Sequence, residues 1–294
     1  MSNRTQVRQQ ARQNARQRIA AQRAAGQRRQ RLLLAGGSVL AVIAIVATFI
    51  GVKLAGHPAT ALPSTAVADA SVASAITNVP ASTLNTVGTG SATPLQATSG
   101  QPLLTSGGKP EVLYVGAEFC PYCAAERWAM TEALSRFGTF SGLHFIHSSS
   151  TDYYANTPTL TYYKSSYTSK YLVFEPVETE TVTHAALQQL TSAQNAVFTK
   201  YDDPPYISEA NRLSFPFVDF GNQALVLGAQ YSPATLSGLS WSQVAAAIKN
   251  PGSAIGKEVN GAANMMTAEL CKLTHGKPAN VCSAAGVKAA TPSS

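Results

Sequence analysis

The chain has 294 residues, room for one large domain or two small ones, with 45% hydrophobic and 13% charged residues and a formal net charge of +7. Nine arginines and no acid stand in residues 1–31, which leaves 13 basic against 15 acidic residues in the remainder. The positive balance belongs to a tail, and nothing in it supports nucleic acid as a partner of the folded part.

Within that tail Arg4, Arg8, Arg12 and Arg16 recur every four residues, the spacing of one helix face lying on anionic lipid. A topology signal with no specific partner is the simpler reading. Leu32–Val52, "LLLAGGSVLAVIAIVATFIGV", is 21 residues without a charge. At about 1.5 Å per residue it spans roughly 31 Å, the thickness of a hydrocarbon core. A cleavable signal peptide is the competing assignment, with Ala59-Thr60-Ala61 as a small-residue site. The apolar run exceeds the usual ~7–15 residues and the basic region before it is long, which favours an uncleaved anchor. Arginines ahead of the span orient the tail to the cytoplasm and residues 53–294 outside the cell membrane.

Residues 54–108 are rich in Ala, Ser, Thr, Pro and Gly, and Asp69 is their only charged residue. They read as a stalk, although "VASAITNVPASTLNTVG" (72–88) has enough spaced apolar residues to pack on a domain. From Lys109 the pattern becomes globular. "VLYVGA" (112–117) is a buried-strand run. A helix follows, with Cys120 at its N-cap, Pro121 at its first position and Gly138 as its stop. Met130, Ala133, Leu134 and Phe137 mark its buried stripe. "GLHFIHS" (142–148) is the next strand, then come a Tyr-rich extended stretch (160–177), a helix (184–201) and a break at "DDPPY". "FVDFGNQALVLGA" (217–229) reads as two strands joined at Gly221-Asn222. Ser240 and Gln243 form a capping box for a helix that ends before Asn250-Pro251. A last helix spans 254–275. Strand–helix–strand, an insertion, then hairpin–helix is an α/β order.

All four cysteines, Cys120, Cys123, Cys271 and Cys282, lie outside the membrane in this topology, where an even number reads first as disulfides. Thiol–disulfide exchange needs one acidic, accessible thiol. A helix N-terminus lowers the pKa of a cysteine placed there, which makes Cys120 the nucleophile. Cys123, on the same side of the first turn, is the resolving thiol. A zinc site would want four ligands, often two such pairs. Here the other two cysteines are far off, and His144 and His147 on one strand point to opposite faces, so no metal is expected. A purely structural Cys-x-x-C bridge would staple little chain. Cys271 and Cys282, in "CKLTHGKPANVC", read as a structural disulfide, with a second redox pair relaying electrons as the alternative. Trp128 and Tyr162, Tyr163, Tyr167 and Tyr171 read as core and sheet packing before a peptide groove.

"VLYVGAEFCPYCAAERW" resembles the strand–loop–helix of the thioredoxin superfamily. The resemblance implies a cis-proline before a later strand, and Pro216 in "SFPF" matches it, with Phe215 presenting backbone to an extended substrate. Pro121, Tyr122 and Phe215 are then the substrate-binding residues, and Pro216 joins the cysteines in the catalytic set. Pro216 lies 93 positions after Cys123, so the intervening stretch carries an insertion, as in the periplasmic disulfide oxidases. The acid that thioredoxins bury in the first strand is replaced by Tyr114; Glu118 or Glu126 is the candidate proton acceptor, with an ordinary solvated acid as the simpler reading of either. The Pro-Tyr dipeptide also occurs in glutaredoxins, but no Gly-Gly glutathione site follows the hairpin. More closely, "AEFCPYCAAERWAM", "LSRFGTFSGL", "SSYTSKYLVFEPVE", "FPFVDFGN" and the terminal cysteine pair resemble a prokaryotic family of membrane-anchored thioredoxin-like proteins known only as a domain of unknown function. That resemblance covers roughly residues 70–285.

The expected organisation is a basic cytoplasmic tail (1–31), one transmembrane helix (32–52), a stalk (53–108), a thioredoxin-like domain (109–286) and a disordered C-terminus (287–294). The expected function is extracytoplasmic thiol–disulfide exchange with protein thiols or disulfides, without a cofactor and with an unidentified redox partner. The contrasting expectation is a non-catalytic envelope or surface module that holds a partner in the same groove.

Overall fold

A computed structural model describes residues 65–67 and 70–291. The basic tail and Leu32–Val52 lie outside the described residues; among the described residues no helix is long and apolar enough to cross a membrane.

The body is mixed α/β. Strand β1 (Thr65–Val67) is followed by helices α1 (Ala70–Thr77) and α2 (Ala81–Val87), then β2 (Gln96–Ala97), β3 (Thr105–Ser106) and β4 (Lys109–Gly116). Helix α3 (Pro121–Ser135) leads to β5 (Thr139–Ser141), β6 (His144–His147), β7 (Pro158–Thr161), β8 (Ser166–Thr168) and β9 (Val173–Glu178). Helix α4 (Ser192–Tyr201), the hairpin β10 (Phe217–Phe220) and β11 (Ala224–Leu227), and helices α5 (Trp241–Ile248), α6 (Ala254–Leu273), α7 (Ala279–Cys282) and α8 (Ala285–Ala290) complete the chain.

The main sheet is mixed. Strand β4 runs parallel to β9 and antiparallel to β10, which pairs antiparallel with β11, and β11 with β2. Side chains alternate across β4, as the period of two requires. Val112 and Tyr114 enter the larger core with α3 and α6, whereas Leu113 and Val115 meet Phe198 and Tyr201 of α4. The β10–β11 turn uses Gly221 and Asn222 at φ of 61° each, and Asn222 Oδ1 accepts the Tyr201 hydroxyl at 2.8 Å. Glycine and asparagine are the residues that tolerate this conformation.

Several boundaries differ from the sequence expectation. Helices α1 and α2 bury Val72, Ile76 and Leu84, so packing begins well before Lys109. Helix α8 runs into the expected disordered tail and buries Val287 there. The helix expected over 184–201 starts only at Ser192. Thr191 and Gln194 form a capping box there, and Leu187 and Gln188 bond back to Thr179 and Glu178 instead of propagating a helix. The Tyr-rich stretch is three strands rather than one extended segment. Helix α3 ends at Ser135, before Gly138. Gly138 is required for another reason: a Cβ there would lie 2.4 Å from the Thr168 carbonyl.

Helix α3 is buried on nearly all sides rather than along one stripe; among its fifteen residues only Tyr122 and Ser135 escape burial. It contacts α6, β7 and α1. That enclosure brings Glu126, Arg127, Thr131 and Glu132 inside, and each must find a partner or change protonation state.

Candidate active site at the start of α3

The two free cysteines sit where the sheet hands over to α3. Cys120 has extended backbone and caps the helix: its sulfur accepts the main-chain N–H of Cys123 at 3.3 Å. Pro121 follows at the first helical position, where the missing N–H would have had no intrahelical partner. Both sulfurs pack in a small cluster with Ala117, flanked by Phe119 and Phe215.

Phe215 reaches this cluster from the other side of the chain. The Phe215–Pro216 peptide is cis, and the Phe215 carbonyl accepts the Cys120 thiol at 3.8 Å. The strand that follows, β10, pairs with β4, the strand that leads to Cys120, so the register Phe217↔Val115 carries Phe215 to the cysteine end of the sheet. Tyr122 points outward, 45% exposed, with its ring edge-on to Tyr154 at 5.9 Å; Tyr153 stands beside Tyr154 and is 81% exposed. The structure thus groups Cys120, Cys123, Pro121, Tyr122, Phe215 and Pro216.

The two thiols are driven apart in acidity. Hydrogen bonding from the Cys123 side chain lowers the Cys120 pKa, aided by main-chain N–H groups and the Arg127 charge against the opposing cost of burial. Burial pushes Cys123 well up, and its bond to Cys120 adds to the rise. Cys120 is therefore the easier of the two sulfurs to ionise.

Neither acid suggested as proton acceptor is hydrogen-bonded to the cysteines. Glu118 accepts the Thr161 hydroxyl at 2.8 Å, and Glu126 accepts the Gln230 N–H at 2.9 Å. The ionic group whose field reaches both sulfurs is Arg127. Sequence reasoning passed over it, because an arginine inside a helix ordinarily faces water. The available signal was its spacing, four residues after Cys123 and so one turn further along the same face. Tyr114 lies under the Arg127 guanidinium, 5.9 Å from carbon to ring centre.

Cys271, near the end of α6, and Cys282, the last residue of α7, are joined by a disulfide. Cys271 belongs to the large core, separate from the cluster that holds Cys120 and Cys123. Among the described residues no three or more His, Cys, Asp or Glu side chains gather as a metal site.

A family model described as "Domain of unknown function (DUF929)" matches residues 97–272, more than half of the chain. The protein belongs to the DUF929 family. The DUF929 match takes in β4, both cysteines of the Cys-x-x-C pair, Arg127, the Phe215–Pro216 loop and Cys271, and stops short of Cys282. No curated protein and no solved structure matches the chain.

Proposed function

We propose that this protein is a thiol–disulfide oxidoreductase with a thioredoxin-like domain, held outside the cell membrane by a single span at Leu32–Val52. The observation that carries the reading is the division of labour between the two sulfurs. Cys120, only 7% exposed and so less accessible than the sequence led one to expect, caps a fifteen-residue helix and receives the Cys123 N–H, while Cys123 has no exposed surface. The order of strands supports the fold assignment: a strand entering the Cys-x-x-C helix, a parallel neighbour, then an antiparallel hairpin opened by Pro216. The long stretch between Cys123 and Pro216, which holds β5 to β9 and α4, fits the insertion expected from the resemblance.

In the proposed reaction the Cys120 thiolate attacks one sulfur of a substrate disulfide. A Cys120–substrate disulfide forms and the second substrate sulfur leaves as a thiolate. Cys123 then attacks Cys120, closing Cys120–Cys123 and releasing the first substrate sulfur. The substrate gains two electrons and the protein is oxidised; the reverse sequence oxidises a substrate dithiol. Phe215 and the exposed Tyr122 flank the path of approach. Protein thiols or disulfides are the proposed partners, and the chemistry calls for no cofactor.

The test is a pair of variants. Cys123→Ser should accumulate mixed disulfides through Cys120, because attack survives and release does not, whereas Cys120→Ser should accumulate none. In the reduced wild type, Cys120 should alkylate at mildly acidic pH. An inert Cys120 would transfer the site to the non-catalytic reading, a groove that holds a partner without exchanging electrons.

A further inference from the structure

Arg127 has no exposed surface and lies one helical turn beyond Cys123 on α3. Its Nε and Nη2 donate to Oε1 and Oε2 of Glu178 at 2.9 and 2.6 Å, and Nη2 donates again to the Ala117 carbonyl at 2.7 Å. The same carbonyl accepts the Cys120 N–H at 3.3 Å, and Ala117 packs against both sulfurs. One main-chain oxygen therefore ties the guanidinium to the cysteine cluster. Nη1, on the edge not bound by Glu178, is buried and has no acceptor. An unmatched charged donor in a closed interior is costly, and a specific unsatisfied group of this kind calls for an explanation.

We propose that Arg127 is the group that stabilises the Cys123 thiolate in the resolving step, a buried cation taking the place of a proton-accepting carboxylate. The inference rests on the thiol-exchange reading above and names how that site releases its substrate. In the step, Cys123 loses its proton and its thiolate attacks Cys120. The Cys120–substrate S–S bond breaks, the Cys120–Cys123 bond forms, and the departing sulfur takes up one proton. The Cys123 sulfur is oxidised and the departing sulfur reduced, so no further oxidant or reductant enters.

A main-chain hydrogen bond from Ala117 also favours the Cys123 thiolate, but among the ionisable side chains the surrounding groups leave this role to Arg127. Tyr114 from β4 and Tyr162 after β7 are both pushed up in pKa by burial and stay uncharged. Glu178, at the end of β9, is held by the opposite edge of the guanidinium. Glu118 is bonded to Thr161 and burial raises its pKa. Arg127 is the positive charge that acts on Cys123 against its burial.

A small aromatic disulfide separates the two half-steps without any protein substrate. Reduced full-length protein is mixed with dithiodipyridine and pyridinethione release is followed by absorbance. The first equivalent reports attack by Cys120, and the second reports closure by Cys123. Arg127→Met with Glu178→Gln removes both charges, which buried pairs tolerate better than the loss of one; circular dichroism and a thermal melt verify the fold. The expected result is a first phase slowed only a few-fold, since Arg127 is a minor contributor at Cys120, and a second phase slowed at least tenfold, largely rescued in Arg127→Lys. A second phase within twofold of wild type in the folded double variant would overturn the assignment, as would Arg127→Lys closing as slowly as the double variant. Absence of the first phase in the wild type would instead overturn the exchange reading, and this inference with it.

Discussion

Trp128 donates its indole N–H to the carbonyl of Pro158 at 2.9 Å, with both residues buried. The bond fastens α3, the helix that begins at Cys120, to β7 in the stretch between Cys123 and Pro216. The Trp128 ring also stacks on Phe145 of β6 at 6.2 Å. The helix that begins at Cys120 is thus anchored by the stretch between Cys123 and Pro216.

Trp128→Ala should cost about 3–5 kcal/mol, the range for deleting a fully buried aromatic side chain. Trp128→Phe keeps most of the volume and loses the hydrogen bond, so it should cost about 1–3 kcal/mol through the unpaired Pro158 carbonyl. Urea unfolding followed by circular dichroism measures both. Equal losses for the two variants would mean that ring volume, and not the bond to Pro158, fastens the helix.

Stability should fall as pH rises from mildly acidic to mildly alkaline. Burial holds Glu126 and Glu132 at about 8, against an ordinary value of 4.5, with the Gln230 N–H and the Arg136 charge respectively opposing the rise. Between those values the folded chain keeps protons that the unfolded chain has lost, so each group lowers stability by up to about 1.4 kcal/mol per pH unit, and the slope vanishes above about pH 8. Both oxygens of Glu132 lack partners. Glu132→Gln should therefore match the wild type near pH 5 and exceed it at pH 8, read from denaturation midpoints across the range. A wild type that gains stability over this window would contradict the assignment.

The two cysteine pairs should open at different potentials. Cys271 and Cys282 are 11 positions apart, a loop whose closure stabilises by about 3 kcal/mol in the chain-entropy model. Structural disulfides commonly lie below about −300 mV, and catalytic ones are more oxidising. Redox titration with mass-spectrometric mapping should show Cys120–Cys123 reduced first and Cys271–Cys282 later. A single shared step would make the second pair an electron relay instead.

Protease added to intact cells or spheroplasts should degrade the domain and spare residues 1–31, the outcome the proposed topology gives with nine arginines before the apolar span. Protection of the domain with loss of the tail would place the cysteines in a reducing compartment.

What was legible in the sequence is what local physics controls. Cys120, Pro121 and the helix-forming run after them announce a capped helix, because an N-cap and its first turn are decided within a few residues. Gly221-Asn222 announces the β10–β11 hairpin, because few residues accept a positive φ. Ser240 with Gln243 marks the start of α5 for the same local reason. The tertiary structure alone decided what those elements enclose. Alternation and helical spacing tell which face of an element is apolar, but not how many neighbours will surround it. Helix α3 is closed in by α6, β7 and α1, and so Arg127, Glu126 and Glu132 became interior groups. The pairing of Arg127 with Glu178 spans 51 positions, a separation across which no local pattern operates. Arg127, rather than Glu118 or Glu126, shares the Ala117 carbonyl with Cys120 because long-range packing, not spacing along the chain, determined which charge was buried there.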